Sequence, residues 1–315
     1  MAIPRVRRGG ERRPASHVDQ PLHNYMRPGL VLCVAYPRAA DDGEMLVRSV
    51  EAIASDPFFS AVEIRNVPDD GARRQMTGVL RASRLDVIYE TYPRLRALGL
   101  DLNSRDGAAR ARAVDIVKRA IDEAAAVGAE RVNIASGPDP GPGERDAAID
   151  ALVESFYDLA GYIASRDGPA LALEPFPAPG QDGRLIGPTR EAIELVRLVR
   201  DVYPAVGLTL DTAHMALLRE DSHASLTASA PYLGQVHLSN VVPAVGDTAP
   251  PFGVPGGVYD IPQVTETLLT LFRVGFLAVG RRPPIVIRVA PRADERAEWV
   301  IAGAKRTLSE AWVRL

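Results

Sequence analysis

The chain has 315 residues, 46% hydrophobic and 24% charged, with a formal net charge of −3. That supports one large domain with a full core and gives no global attraction to nucleic acid or an anionic membrane surface. The single cysteine, Cys33, excludes an intrachain disulfide and a cysteine-based zinc site, and the only lysines, Lys118 and Lys305, both fall in helix-period stretches, which disfavours a Schiff-base mechanism.

In chain order, residues 1–27 open with MAIPRVRRGGERRP. This segment is basic and lacks an apolar stretch of signal-peptide character, so it is expected to be a disordered extension of a cytoplasmic protein. No later apolar run is long enough to span a bilayer. From residue 28 to 315, short apolar or β-branched runs alternate with amphipathic stretches. The strands expected are GLVLCVAYP (29–37), SAVEIR (60–65), LDVIYET (85–91) and ERVNIAS (130–136), followed by PALALE (169–174), VGLTLD (206–211), LGQVHLS (233–239) and PIVIRV (284–289). Helix-period segments lie between them, most clearly at 105–127, 145–165, 189–202 and 261–274, and a final one at 294–312 follows the eighth strand.

Eight strand–helix units with no spare strand predict an α/β fold, a single-domain (β/α)8 TIM barrel. A dinucleotide-binding open sheet is disfavoured, because the turn after the first strand reads AYPRAADDG and lacks G-x-G-x-x-G. The longest irregular stretches, 175–188 and 241–260, both follow strands, where a barrel keeps its active-site loops.

Alternation along the strands predicts which side chains point inward. With Leu171 and Leu173 outward, Glu174 faces the interior. With Leu208 and Leu210 outward, so does Asp211, and with Val236 and Leu238 outward, so do Gln235, His237 and Ser239. Neighbouring strands lie about 4.8 Å apart, so Glu174, Asp211 and His237 are placed to converge on one divalent ion. The mixed oxygen and nitrogen set suits manganese, magnesium, cobalt or zinc. Two carboxylates this close repel unless a cation joins them. For Asp211 alone, capping the following helix is the rival reading. His214 lies about one helical turn beyond Asp211 and is a candidate for proton transfer. Glu63 and Arg65, inward on the second strand, are candidates for substrate binding across the mouth.

The segments LALEPF, GLTLDTAHM and VHLSN, with the stretch DLNSRDGAARARAVDIVKRAIDEAAAVGAERVNIASG, resemble successive motifs of the xylose isomerase-like superfamily. That superfamily includes sugar and keto-sugar epimerases, hydroxypyruvate isomerase and inosose dehydratase. The resemblance runs from about Gly29 to the end. It implies an isomerase or epimerase with Glu174, Asp211 and His237 as metal ligands, Glu174 and His214 as catalytic groups, and a small carbohydrate-like substrate. Self-association as a homo-oligomer stays open.

Two positions depart from the pattern. The family supplies a fourth ligand, a glutamate, on strand eight, where this sequence has Arg288. A guanidinium cannot ligate a cation and instead offers a planar fork for an anion. Three outcomes stand open: a metal on three protein ligands with Arg288 binding an anionic substrate group, Arg288 neutralising Glu174 and Asp211 with no metal, or a non-catalytic barrel kept for binding. Inversion by two opposed glutamates is in doubt, whereas one-base isomerisation or dehydration by a lyase remains feasible. Asn240 replaces a more usual aspartate and is expected to contact substrate. A DNA-repair endonuclease of the superfamily needs additional histidines, which EIRN and IYET at the ends of strands two and three do not provide.

Overall fold

The computed structural model describes residues 18, 20–67, 69–177, 184–246 and 248–315. Eight parallel strands close into a barrel in sequence order: β1 Arg27–Val31, β2 Ala61–Arg65, β3 Asp86–Glu90, β4 Ala129–Ile134, β5 Ala170–Leu173, β6 Val206–Asp211, β7 Leu233–Ser239 and β8 Pro284–Arg288. Helices α1 Leu32–Ala35, α2 Gly43–Ala54, α3 Asp70–Ser83, α4 Tyr92–Ala97, α5 Gly107–Ala126, α6 Arg145–Ala164, α7 Thr189–Arg200, α8 Thr212–Leu217, α9 Ser222–Ser229, α10 Ile261–Arg273 and α11 Ala297–Val313 lie between and after them. Outward strand residues such as Val62, Val132, Leu210 and Val236 are buried against these helices and form the principal apolar core. Among the described residues, no helix is long and apolar enough to cross a membrane.

Two sequence expectations shift. The first strand ends at Val31 rather than Pro37, and Leu32–Ala35 turns into a short helix. A continuous apolar run such as GLVLCVA carries no period that separates strand from helix. The expected extension also ends sooner than residue 27. Leu22, Tyr25 and Met26 are buried, and the Tyr25 ring packs against Phe272 and Trp312. Arg27 opens β1 and pairs with Asp86 at 2.7 Å and Glu130 at 2.6 Å, tying the amino ends of three strands. Residues 1–17 and 19 lie outside the described residues.

The barrel interior is layered. A small apolar group of Val31, Ala61, Ile88 and Val286 occupies one side, and polar side chains fill the other. Arg131 projects from β4 into this interior. Gly234, the residue skipped where the β6–β7 register shifts, makes room for it, since a Cβ there would lie 2.4 Å from the Arg131 Nη1. The same shift sets Asp211 level with His237 and Thr209 level with Gln235. Ser239 and Arg288 stand level with each other, nearer the carboxyl rim.

Candidate active site at the carboxyl end of the barrel

A polar ladder leads up from the barrel's middle. Thr209 Oγ1 donates to Asn133 Oδ1 at 2.9 Å, and Asn133 Nδ2 donates to Gln235 Oε1 at 3.2 Å and to Glu63 Oε1 at 3.4 Å. Gln235 Nε2 donates to Glu63 Oε2 at 2.5 Å, and His237 Nε2 stands 2.8 Å from the same oxygen. Glu63 is therefore fixed deep in the site as the partner of His237 rather than at the rim where substrate binding is expected. The other ring nitrogen, His237 Nδ1, faces Glu174 Oε1 at 3.3 Å and Asp211 Oδ2 at 3.8 Å.

Asp211 divides its carboxylate between two tasks. Oδ1 accepts from the backbone N–H of Ala213 at 2.7 Å and of His214 at 3.4 Å, capping α8, and from the Ser239 hydroxyl. Capping and the cluster are thus compatible, one for each oxygen. Oδ2 is buried without a hydrogen-bond partner. Around it stand Arg288 Nη1 at 3.6 Å, His237 Nδ1 at 3.8 Å and His214 Nε2 at 3.9 Å. His214 Nδ1 is likewise buried and unpartnered, with Glu174 Oε1 at 3.6 Å.

Buried polar atoms left unpaired are rare and costly, so the gap among them asks for a ligand. Two candidate cation groups exist among the described residues, Glu174–Asp211–His214 and Glu63–Glu174–His237, each with its donor atoms within 4.8 Å of one another. The trio expected from the sequence, Glu174–Asp211–His237, is neither of them but is spread across both, with His237 Nδ1 3.3 Å from Glu174 Oε1 and 3.8 Å from Asp211 Oδ2. Carboxylate oxygens and imidazole nitrogens around an orphaned carboxylate oxygen suit a divalent cation. The residues present fit such an ion.

The charges inside the cluster follow from its geometry. Burial raises the carboxylates of Glu63 and Asp211, but the facing cations and hydrogen bonds outweigh it and hold both below the usual carboxylate range. Burial depresses His237, yet Glu63 and Glu174 drive it well above the ordinary histidine value, so in the absence of a cation it is an imidazolium. His214 goes the other way: burial lowers it, Arg288 and His237 add to that, and Asp211 and Glu174 only partly offset it. It is a neutral imidazole around pH 7.

Glu90, at the end of β3, carries no role in the sequence reading. Burial first, then the neighbouring carboxylates of Glu63 and Glu174, push it up to about 8. The signal was available: Ile88 faces the interior, and Glu90 shares its parity.

Above the cluster opens a cavity of about 500 Å3 whose lining includes Tyr92, Asp101, Phe176, Arg184, His214 and Arg288. Rings and a cation stack along its wall. Arg184 lies 4.2 Å over Tyr92, Tyr92 is 4.9 Å from Phe176, and Phe176 is 4.5 Å from His214. Sequence reasoning missed this wall, although Phe176 sits in LALEPF, because Phe176 lies in a loop and Tyr92 opens a six-residue helix, and neither setting carries a readable period. Arg65 stands on the inward face of β2, level with Glu90, and interacts with the Cys33 thiol. Asn240, expected to contact substrate, is committed to the loop that follows β7. Its Oδ1 accepts from Val241 and Tyr259 N–H, and its Nδ2 donates to the Pro251 carbonyl, each at 2.8 Å.

The sequence profile of the xylose isomerase-like TIM barrel family matches residues 48–272, and the chain belongs to that family. Among solved structures, it resembles a D-allulose 3-epimerase from Methylomonas sp. at 18% identity and a TM-score of 0.69, covering 92% of this chain and 96% of that one. It also resembles a 3-keto-D-glucoside 4-epimerase from E. coli at 16% identity and a TM-score of 0.66, covering 92% and 99%. A family 2 AP endonuclease from Brucella melitensis aligns at 21% identity and a TM-score of 0.65, covering 88% and 98%. At these identities the likeness concerns the fold. Among curated proteins, none matches the sequence.

Proposed function

We propose that the chain is a sugar or keto-sugar isomerase or epimerase that moves a proton alpha to a carbonyl on a polyhydroxylated substrate. The observation that carries the reading is the orphaned Asp211 Oδ2, buried among nitrogens of His214, His237 and Arg288 at 3.6–3.9 Å. Glu174, Asp211 and His237 would hold a divalent cation, manganese, magnesium, cobalt or zinc, with His237 offering Nδ1. When bound, such an ion polarises adjacent substrate oxygens and offsets the charge that develops as a carbon-bound proton leaves.

This chain's own residues supply the rest. Glu174 Oε1 serves as the base toward carbon. Neutral His214, with Nδ1 3.6 Å from Glu174 Oε1, passes a proton between neighbouring substrate hydroxyls. Phe176, its ring tilted 44° against that of His214 with centroids 4.5 Å apart, holds the imidazole and shields that side from water. Glu63, gripped by Gln235 and Asn133, fixes the orientation of His237. Because strand eight carries Arg288, one base acting on one face of the substrate is the simplest chemistry. That favours isomerisation, or dehydration of a similar substrate, over two-base inversion.

A second reading is a metal-free site. Its support is the protonated His237 lying between Glu63 and Glu174, with Arg288 beside Asp211, which balances the carboxylates without an ion. Elemental analysis of protein purified without chelator separates the two. The proposed reading expects about one divalent ion per chain in the wild type, and its loss in Asp211→Asn and His237→Ala. Solvent deuterium uptake into a ketose pool should also vanish in Glu174→Gln. Metal content unaffected by these changes would end the metal-site assignment.

A further inference from the structure

We infer that the cavity takes a sugar acid, with a carboxylate beside the reacting carbon paired to the guanidinium of Arg288. The inference rests on the proposed site and deepens it by naming the chemical class of its substrate.

Arg288 ends β8 level with Ser239, lines the cavity, and has only 18% of its side chain exposed. Among the described residues its hydrogen bond runs through Nη1 alone, to the Thr248 carbonyl at 2.9 Å. Asp211 Oδ2, at 3.6 Å, lies beyond hydrogen-bond reach and is shared with two imidazoles. A guanidinium is a planar fork that pairs bidentately with a carboxylate, and one so buried without a hydrogen-bonded acid is costly unless a ligand supplies it.

The rest of the lining carries the same sign. Arg96 and Arg184 line the cavity with Arg288, against Asp101 as the acid among its lining residues outside the cluster. Arg184 is held in place, donating to the Ser136 carbonyl at 3.1 Å while stacked on Tyr92. A cavity with three guanidiniums beside a cation site selects an anion over a neutral sugar of equal size.

Position decides which anion. Arg288 Nη1 is 3.6 Å from Asp211 Oδ2 of the proposed cation site, so an acid group on its fork adjoins the substrate oxygens that such an ion would polarise, next to the carbon that reacts. That describes a carboxylate at carbon 1 of an acyclic polyhydroxy acid. A phosphate at the far end of an extended sugar chain would fall instead near Arg184 and Arg96.

Three probes of one carbon skeleton test this by calorimetry on the full chain at fixed ionic strength: D-gluconate, D-sorbitol, in which the carboxylate is replaced by a hydroxymethyl group, and D-sorbitol 6-phosphate. Wild type should bind gluconate at least about tenfold more tightly than sorbitol, because the ion pair is largely desolvated. Arg288→Met should erase that preference and leave sorbitol binding in place. Arg288→Gln, which keeps a donor for the Thr248 carbonyl, should do the same if the methionine variant does not fold. Arg184→Met should change the ratio less. The inference is overturned by equal binding of gluconate and sorbitol, by no gluconate binding in the wild type, or by a gluconate preference that survives both Arg288 variants. It is equally overturned if the phosphate ester binds most tightly through Arg184. These readouts need no turnover: a chain that selects gluconate through Arg288 but exchanges no substrate proton refutes the isomerase reading alone, and one that turns over a neutral ketose with no acid preference refutes only the substrate class.

Discussion

At the residue scale, Asp211 shows how one side chain serves fold and site together, and this makes its substitutions separable. Asp211→Asn keeps an oxygen for the α8 amides and replaces only the orphaned Oδ2, whereas Asp211→Ala removes both. The asparagine variant should keep the α8 cap, lose the charge pairing of Oδ2 with Arg288 and the imidazoles, and bind metal far more weakly, by more than the roughly 10–100-fold typical of losing a supporting hydrogen bond. The alanine variant should lose about 1 kcal/mol of stability besides. Thermal denaturation paired with metal titration reads both, and equal metal affinity in wild type and Asp211→Asn would remove Oδ2 from the cation site. The inward direction of Glu174, Asp211 and His237 was legible because each ends, nearly ends or directly follows a regular strand, where parity fixes direction. Glu63 was read as inward but too shallow. Its level opposite Val31 and Ile88 comes from barrel register, which a single strand's sequence does not contain.

At the element scale, the long helices 107–126, 145–164 and 189–200 match their sequence periodicity closely, because each buries one continuous apolar stripe. The short α1 and α9 went unread, since four to eight residues hold too little period to register, and α8 was anticipated only as the helix that Asp211 would cap. The loop after β7 was expected at 241–260, but what shapes it was not. Asn240 makes three hydrogen bonds into it, and Gly257 packs so closely that a Cβ there would lie 2.5 Å from Asn240 Nδ2. Asn240→Ala should therefore cost about 2–3 kcal/mol, near 1 kcal/mol per buried hydrogen bond lost. It should also speed amide hydrogen exchange within 241–260 while leaving exchange in β7 slow. If exchange in that loop stays unchanged and only substrate affinity falls, Asn240 contacts substrate, as its place in VHLSN first suggested.

At the scale of the whole molecule, the barrel concentrates ionisable groups in one cavity, so the stability of the entire domain should report on them. Glu63 and Asp211 titrate below their unfolded values. Their contribution is present above about pH 4 and is lost as pH falls through the folded values. His214 is also depressed, so its contribution is complete above about pH 6.5, its unfolded value, and flat beyond. His237 and Glu90 run the opposite way. His237, raised well above its unfolded value, stabilises fully below about pH 6.5, and that stability is lost as pH rises through the folded value. Glu90, raised to about 8, loses its share progressively between its unfolded value and pH 8. Of these five groups, only the declining pair still changes above pH 7, at up to about 1.4 kcal/mol per pH unit for each proton the folded state retains. Chelator-treated protein should therefore melt at steadily lower temperature from pH 7 to pH 9. A cation bound at His237 Nδ1 must displace the proton held there, so its affinity grows across the same interval. Saturating manganese should consequently raise the melting temperature more at pH 9 than at pH 7, flattening or reversing the decline. Melting curves at pH 5 to 9, with chelator and with manganese, provide the check. A metal-free melting temperature that holds level or climbs above pH 7 would mean that His237 and Glu90 do not share the buried charge as their neighbours dictate.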